Sequence, residues 1–170
     1  IGINPQGFRW VLDPGETLTS PQAVLVFTAE GLDGMSRRFH DLVRESILPP
    51  AWSRRERPVL LNTWEAQYFD VSHDTVLELA DAGTEVGVEL LVLDDGWFAA
   101  RNDDTTSLGD WRENPEKLPG GLSELSRRLH ERDLGFGLWV EPEMISTRSE
   151  LYRAHPEWCL EIPARGRGEN

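Results

Sequence analysis

Three short apolar runs, at 59–61, 90–93 and 136–140, alternate with stretches of helical periodicity, and each run leads into polar and aromatic residues. That alternation predicts an α/β protein with parallel strands. Acids and tryptophans gathered directly after the strands predict a barrel, which carries its function on those loops. The fold class is therefore an incomplete (β/α)8 TIM barrel, preceded by the tail of a β-sandwich domain. A whole barrel takes about 250 residues, so a chain of 170 holds only its first part. The competing open sheet for nucleotides would place glycines after its first strand. No GxGxxG or GxxxxGK[ST] occurs, and the first run leads into Trp64–Glu65.

Residues 1–30 read as the end of the β-sandwich, with a strand at Val24–Leu25–Val26–Phe27 after an Asp13–Pro14–Gly15 turn. Residues 31–57 read as a linker helix and loop. Leu32, Met35, Phe39 and Leu42 mark one helical face, and Pro49–Pro50 and Pro58 interrupt the pattern that follows. Residues 58–170 read as the N-terminal part of the barrel. Val59–Leu60–Leu61 is a strand covered on both faces. Ser72 caps the next helix, whose apolar face is Val76, Leu79, Ala80 and Gly83. Leu90–Leu93 is the second strand and runs into Asp94–Asp95–Gly96–Trp97. A polar loop near 98–119 precedes a helix marked by Leu122, Leu125 and Leu129, and the third strand is Phe136–Val140. Ile1–Gly2–Ile3–Asn4–Pro5 lacks an initiating Met and reads as mid-chain, so both ends are expected to be cuts.

Composition excludes several classes. A net charge of −13 argues against a nucleic-acid partner, which demands a basic footprint. The one basic cluster, Arg37 to Arg57, is interrupted by Asp41, Glu45 and Glu56. No run of about 18 apolar residues occurs, so no membrane partner is expected. The single cysteine, Cys159, allows no internal disulfide and suits the cytoplasm.

Asp94 and Asp95 are the main chemical signal. Two carboxylates at the mouth of a buried strand need partners, and sugar hydroxyls are strong ones. Trp64 and Trp139, at equivalent positions after the first and third strands, offer flat apolar faces to the CH faces of a neutral hexose. Capping of loop amides is the plainer alternative for the two acids. A hard cation is the sharper rival, held by Asp94, Asp95, Asp103, Asp104, Asp110, Glu141 and Glu143. No EF-hand, HxH or HExxH spacing supports it, and His40, His73, His130 and His155 are scattered, so no metal and no cofactor are expected. Glu141 and Glu143 sit on one wall of a single strand end. They could not flank a glycosidic bond, as a retaining pair about 5–5.5 Å apart must.

Asn62–Thr63–Trp64–Glu65, Leu93–Asp94–Asp95–Gly96–Trp97–Phe98, Arg101–Asn102–Asp103–Asp104, Gly109–Asp110–Trp111, Lys117–Leu118–Pro119–Gly120–Gly121–Leu122 and Phe136 through Met144 together resemble the α-galactosidases of glycoside hydrolase family 36. The likeness continues through Ser149–Trp158 and is dense over about residues 55–160. It implies release of terminal α-linked galactose from melibiose- and raffinose-type sugars by retaining chemistry, without metal or organic cofactor. It also implies a homotetramer, from the bacterial members. Asp94 and Asp95 match the pair that grips the 4- and 6-hydroxyls, Trp139 a pocket wall, and Trp64 a tryptophan near the leaving group. Arg167 is the counterpart of a substrate-binding arginine, although Arg165–Asn170 departs from the family's Gly-Arg-Asn-Gln pattern. No Lys-Trp-Asp nucleophile segment occurs, so both catalytic carboxylates are expected beyond Asn170 and the isolated chain is expected to be inactive. The alternatives are a non-catalytic galactoside-binding protein and a raffinose-synthase-type transferase.

Overall fold

A computed structural model describes residues 3, 6 and 8–160. The chain divides into two compact units, Ile1–Glu56 and Arg57–Asn170.

Within the first unit, α1 spans Gly31–Leu42 and continues into a π turn, Val43–Ile47; a short α2, Pro50–Ser53, follows. Pro50 at the start of α2 is pre-set for a first helical turn and needs no N–H there. The expected loop after residue 46 is therefore partly helical. The expected strand at Val24–Phe27 is not present: no described residue before Gly31 is in a strand. A strand exists only through a ladder partner, and none runs beside this apolar run. Leu25 is 80% exposed and Phe27 95%. The apolar face foreseen on α1 is also open, with Leu32 and Met35 both exposed.

The second unit is built on a three-stranded parallel sheet in the order β1-β2-β3, comprising Leu60–Asn62, Leu90–Leu93 and Gly135–Leu138. Leu60 pairs with Leu90 and Leu90 with Gly135, so the three strands rise in step. β1 starts one residue later than expected and β3 ends two residues earlier. A single turn, α3 (Trp64–Gln67), follows β1 directly; α4 (His73–Glu85) links β1 to β2, α5 (Gly121–His130) links β2 to β3, and α6 (Glu150–Ala154) follows β3.

The two faces of β2 have different roles. Leu91 and Leu93 are fully buried and share a core with Val76, Leu77 and Ala80 of α4 and Leu125 and Leu129 of α5. In the helical pattern of α4, Leu77 takes the fully packed place expected for Leu79, which is half-buried. Leu90 and Val92 alternate onto the opposite face. There they lie against Gly135 and Gly137, where an added Cβ would come within 3.1 Å of Leu90 Cδ1 and 2.9 Å of Val92 Cγ2. Glycine at these positions lets β2 keep branched side chains on that face. Among the described residues no helix is long and apolar enough to cross a membrane.

Ser72 caps α4 as expected. Its hydroxyl accepts from Thr75 N at 3.2 Å, and Thr75 Oγ1 accepts from Ser72 N at 3.0 Å, a reciprocal capping box. Replacing Ser72 with Ala is expected to cost about 1 kcal/mol of stability, read as a lower urea midpoint with an unchanged slope.

Candidate functional site

The strand register assembles the site. Asn62, Val92 and Gly137 lie in one row across the sheet, and Trp64, Asp94 and Trp139 each stand two residues further along, Trp64 as the first residue of α3. Backbone bonds continue the pairing past the strands: Thr63 N donates to Val92 O at 3.0 Å and Trp139 N to Leu93 O at 2.9 Å. The three residues foreseen from separate strand ends thus follow three adjacent strands of the sheet.

Asp94 is held from three directions. Asn62 Nδ2 donates to its Oδ2 at 2.5 Å, and the backbone N of Asp95 donates to its Oδ1 at 2.8 Å. Its own N–H donates to Thr63 Oγ1 at 3.0 Å. Asn62 is fixed in turn, its Oδ1 accepting from Trp64 N at 2.7 Å. An ionised carboxylate offers about four acceptor directions, and these bonds occupy two of them. The side chain is half-buried, so the remaining capacity faces outward.

Asp95, in the turn that follows β2, is differently placed. It is buried against Arg101, whose Nε lies 3.0 and 3.1 Å from the two carboxylate oxygens and whose Nη2 lies 2.8 Å from Oδ2. Gly96 N donates to Oδ1 at 2.6 Å. Only 8% of the Asp95 side chain and 5% of the Arg101 side chain reach solvent. Arg101 also donates to Thr106 O at 2.8 Å and lies over the rings of Phe69 and Phe98. The two acids thus differ in burial and in partners.

Trp64 is half-buried at the start of α3 and meets the rings of Tyr68 and Phe69 edge-on, at 5.1 Å each. Trp139 is half-buried; it lies 6.2 Å from Trp111 edge-on, and its carbonyl accepts from Trp97 Nε1 at 3.0 Å. Arg167 lies outside the described residues. Two cavities open in the loops beyond the strands, of about 470 and about 550 Å³. The first is lined by residues such as Arg112, Arg148 and Arg153, and the second by Trp111, Met144 and Trp158. Among the described residues no three His, Cys, Asp or Glu side chains converge as a metal would require.

Sequence reasoning missed four contributors: Asn62, Thr63, Arg101 and Lys117. Arg101 and Lys117 stand out in retrospect as basic residues in an acidic loop next to an acidic strand end. The Lys117 ammonium is part-buried and bonded to three backbone carbonyls, and that burial pulls its pKa below the ordinary lysine value, while Asp70 and Asp95 oppose the shift.

A family model, Melibiase, matches residues 17–170. The chain belongs to the melibiase family. Alpha-galactosidase AgaA of Geobacillus stearothermophilus is 52% identical over 169 residues, which is 99% of this chain and 23% of that protein. Alpha-galactosidase Mel36A of Lactobacillus acidophilus is 44% identical over 164 residues, covering 96% of this chain and 22% of that protein. A crystal structure of an AgaA variant in complex with raffinose matches with a TM-score of 0.92 at 51% identity, over 99% of this chain and 24% of that one. This melibiase chain thus spans about a quarter of the length of these relatives, and its small parallel sheet with flanking helices is a partial (β/α)8 barrel.

The unequal burial of the two acids has a measurable consequence. Asp95→Ala leaves Arg101 buried without its partner and is expected to cost about 3–5 kcal/mol of stability. Asp94→Ala is expected to cost far less. Thermal melting of the two variants side by side checks the difference.

Proposed function

We propose that this chain is part of an α-galactosidase that releases terminal α-linked galactose by a retaining double displacement. Residues 1–170 contribute part of the galactose pocket, and the nucleophile and the acid/base come from further along the full-length chain. The observation that carries this reading is Asp94, fixed by Asn62 at the end of β2 with half of its acceptor capacity unspent, on a strand whose two neighbours lead into Trp64 and Trp139. A rigid acceptor on a strand whose two neighbours each lead into a tryptophan suits a neutral sugar. Its hydroxyls donate to the carboxylate and its CH face lies on an indole. The crystallised relative's complex with raffinose supports an α-galactoside as the ligand.

Asp94 takes the principal hydroxyl contact in this reading. Asp95 is kept as the second acid of the sugar site, and its pairing with Arg101 keeps the strand end in place. Trp139 forms a wall, Trp64 lies toward the leaving group, and Arg167 is kept as a further substrate contact. No metal or organic cofactor takes part in the reaction as proposed. Retaining chemistry needs two carboxyls about 5–5.5 Å apart on opposite sides of the scissile bond. Glu141 and Glu143 follow one strand and share one wall, so they do not meet that demand. A homotetrameric assembly and a cytoplasmic setting complete the proposal. The first rests on the bacterial members of the family, and light scattering of the full-length protein tests it. The second rests on the single cysteine.

In the full-length enzyme, Asp94→Ala is expected to remove charge-assisted hydrogen bonds worth about 1.5–3 kcal/mol each. That corresponds to a fall of about ten- to a hundredfold per bond in kcat/KM for a chromogenic α-galactoside, with little change in melting temperature. Kinetics equal to wild type would remove Asp94 from the pocket. Residues 1–170 alone are expected to show no turnover. Hydrolysis by a preparation free of host enzyme would show that the catalytic pair lies within them.

A further inference from the structure

Lys117 lies in the loop between β2 and α5 and ends on backbone oxygens from three separate places. Its ammonium donates to Phe69 O at 2.7 Å, to Gly96 O at 2.8 Å and to Arg101 O at 3.0 Å. A lysine has three N–H donors, and each meets one carbonyl. Phe69 follows α3 and carries the ring against which Trp64 packs. Gly96 follows Asp95 directly, and Arg101 is the residue that chelates Asp95. One cation therefore ties the turn that positions Trp64 to the strand end that positions Asp94 and Asp95.

The backbone around this point is pressed together. Gly96 has φ +97°, and an added Cβ would lie 2.9 Å from Phe69 Cα and 3.1 Å from Phe69 O. Tyr68, just before Phe69, holds φ 48°, a left-handed conformation that a bulky residue rarely adopts. Such strain persists only where the surroundings impose it. Carbonyl dipoles brought to one point repel each other unless a positive charge sits among them. The lysine is also anchored at its base, where its N–H donates to Asn114 Oδ1 at 3.2 Å and its carbonyl accepts from His73 N at 3.1 Å.

We propose that Lys117 is a positioning residue for sugar binding, its ammonium holding the Trp64 turn and the Asp94–Asp95 strand end at one fixed separation. The proposal rests on the reading that Asp94 binds the sugar. A displacement of about 1 Å at a binding group can cost about a hundredfold in rate.

The test uses full-length enzyme carrying Lys117→Ala or Lys117→Met; the Met variant keeps an apolar stem in the same space. Both are expected to raise KM for a chromogenic α-galactoside about ten- to a hundredfold, with a smaller effect on kcat. Amide hydrogen exchange is expected to accelerate at 64–70 and 94–101 and to stay unchanged in β3. Ethylammonium, which supplies N–H donors, is expected to restore part of the affinity of Lys117→Ala. Tetramethylammonium, which has none, is expected to restore nothing. Unchanged KM with unchanged exchange would overturn the proposal, as would equal rescue by both cations or loss of protection spread over the whole unit. A wild-type enzyme that does not turn over α-galactosides would defeat the functional reading alone, because the exchange comparison does not depend on activity.

Discussion

Asp95 and Arg101 form the interaction on which the end of β2 depends. A carboxylate removed from water is costly unless a partner of opposite charge and enough hydrogen bonds replace the solvent. Here the guanidinium supplies both, with two nitrogens on the carboxylate and a third bond to Thr106 O. The pair thereby determines the course of the loop after β2. Residues 96–106 must pass close enough to bring Arg101 back to a carboxylate only six positions earlier. Phe69 and Phe98 cover the guanidinium with their rings, which excludes water from the pair. That arrangement leaves Asp94, one position earlier and on the other face, free to meet a ligand.

This division follows from strand parity. Leu91 and Leu93 turn toward the helices, and Asp95, in the turn beyond them, is buried as well, where only a paired charge is tolerable. Leu90 and Val92 turn the other way, and Asp94 continues that series. In a closed barrel the second series is the one that lines the interior and its mouth. β1 and β3, which pair with β2 on its two sides, lead into Trp64 and Trp139.

Much of this was legible in the sequence, and for identifiable reasons. β2 was read at its true limits because four consecutive apolar residues bounded by polar ones leave little choice of strand. The α4 cap was legible because Ser72 stands directly before an apolar repeat. The three strand ends were legible because aromatic and acidic residues follow each apolar run. The pairing of Asp95 with Arg101 was not, since it depends on an arginine returning through a loop with no periodicity. Lys117 was hidden for another reason. Its partners are backbone carbonyls, and backbone leaves no trace in residue identity. At Val24–Phe27 the apolar pattern resembled a strand, but β structure depends on partners from elsewhere, and no described neighbour supplies a ladder. Arg167 lies outside the described residues, and its role rests on the resemblance alone.

Precision of placement matters more for this kind of ligand than for a charged one. A neutral sugar offers no long-range attraction, so its recognition rests on short hydrogen bonds whose strength falls steeply with angle and distance. An acid waving on a solvated loop would also lose side-chain entropy at each binding event. Asp94 avoids this because Asn62, Thr63 and the Asp95 amide hold it before any ligand arrives. Those three groups depend in turn on a strand end that Arg101 closes from one side and Lys117 from the other. In the proposed role, binding energy at Asp94 is therefore a property of the loop behind it, although no residue of that loop need touch the sugar.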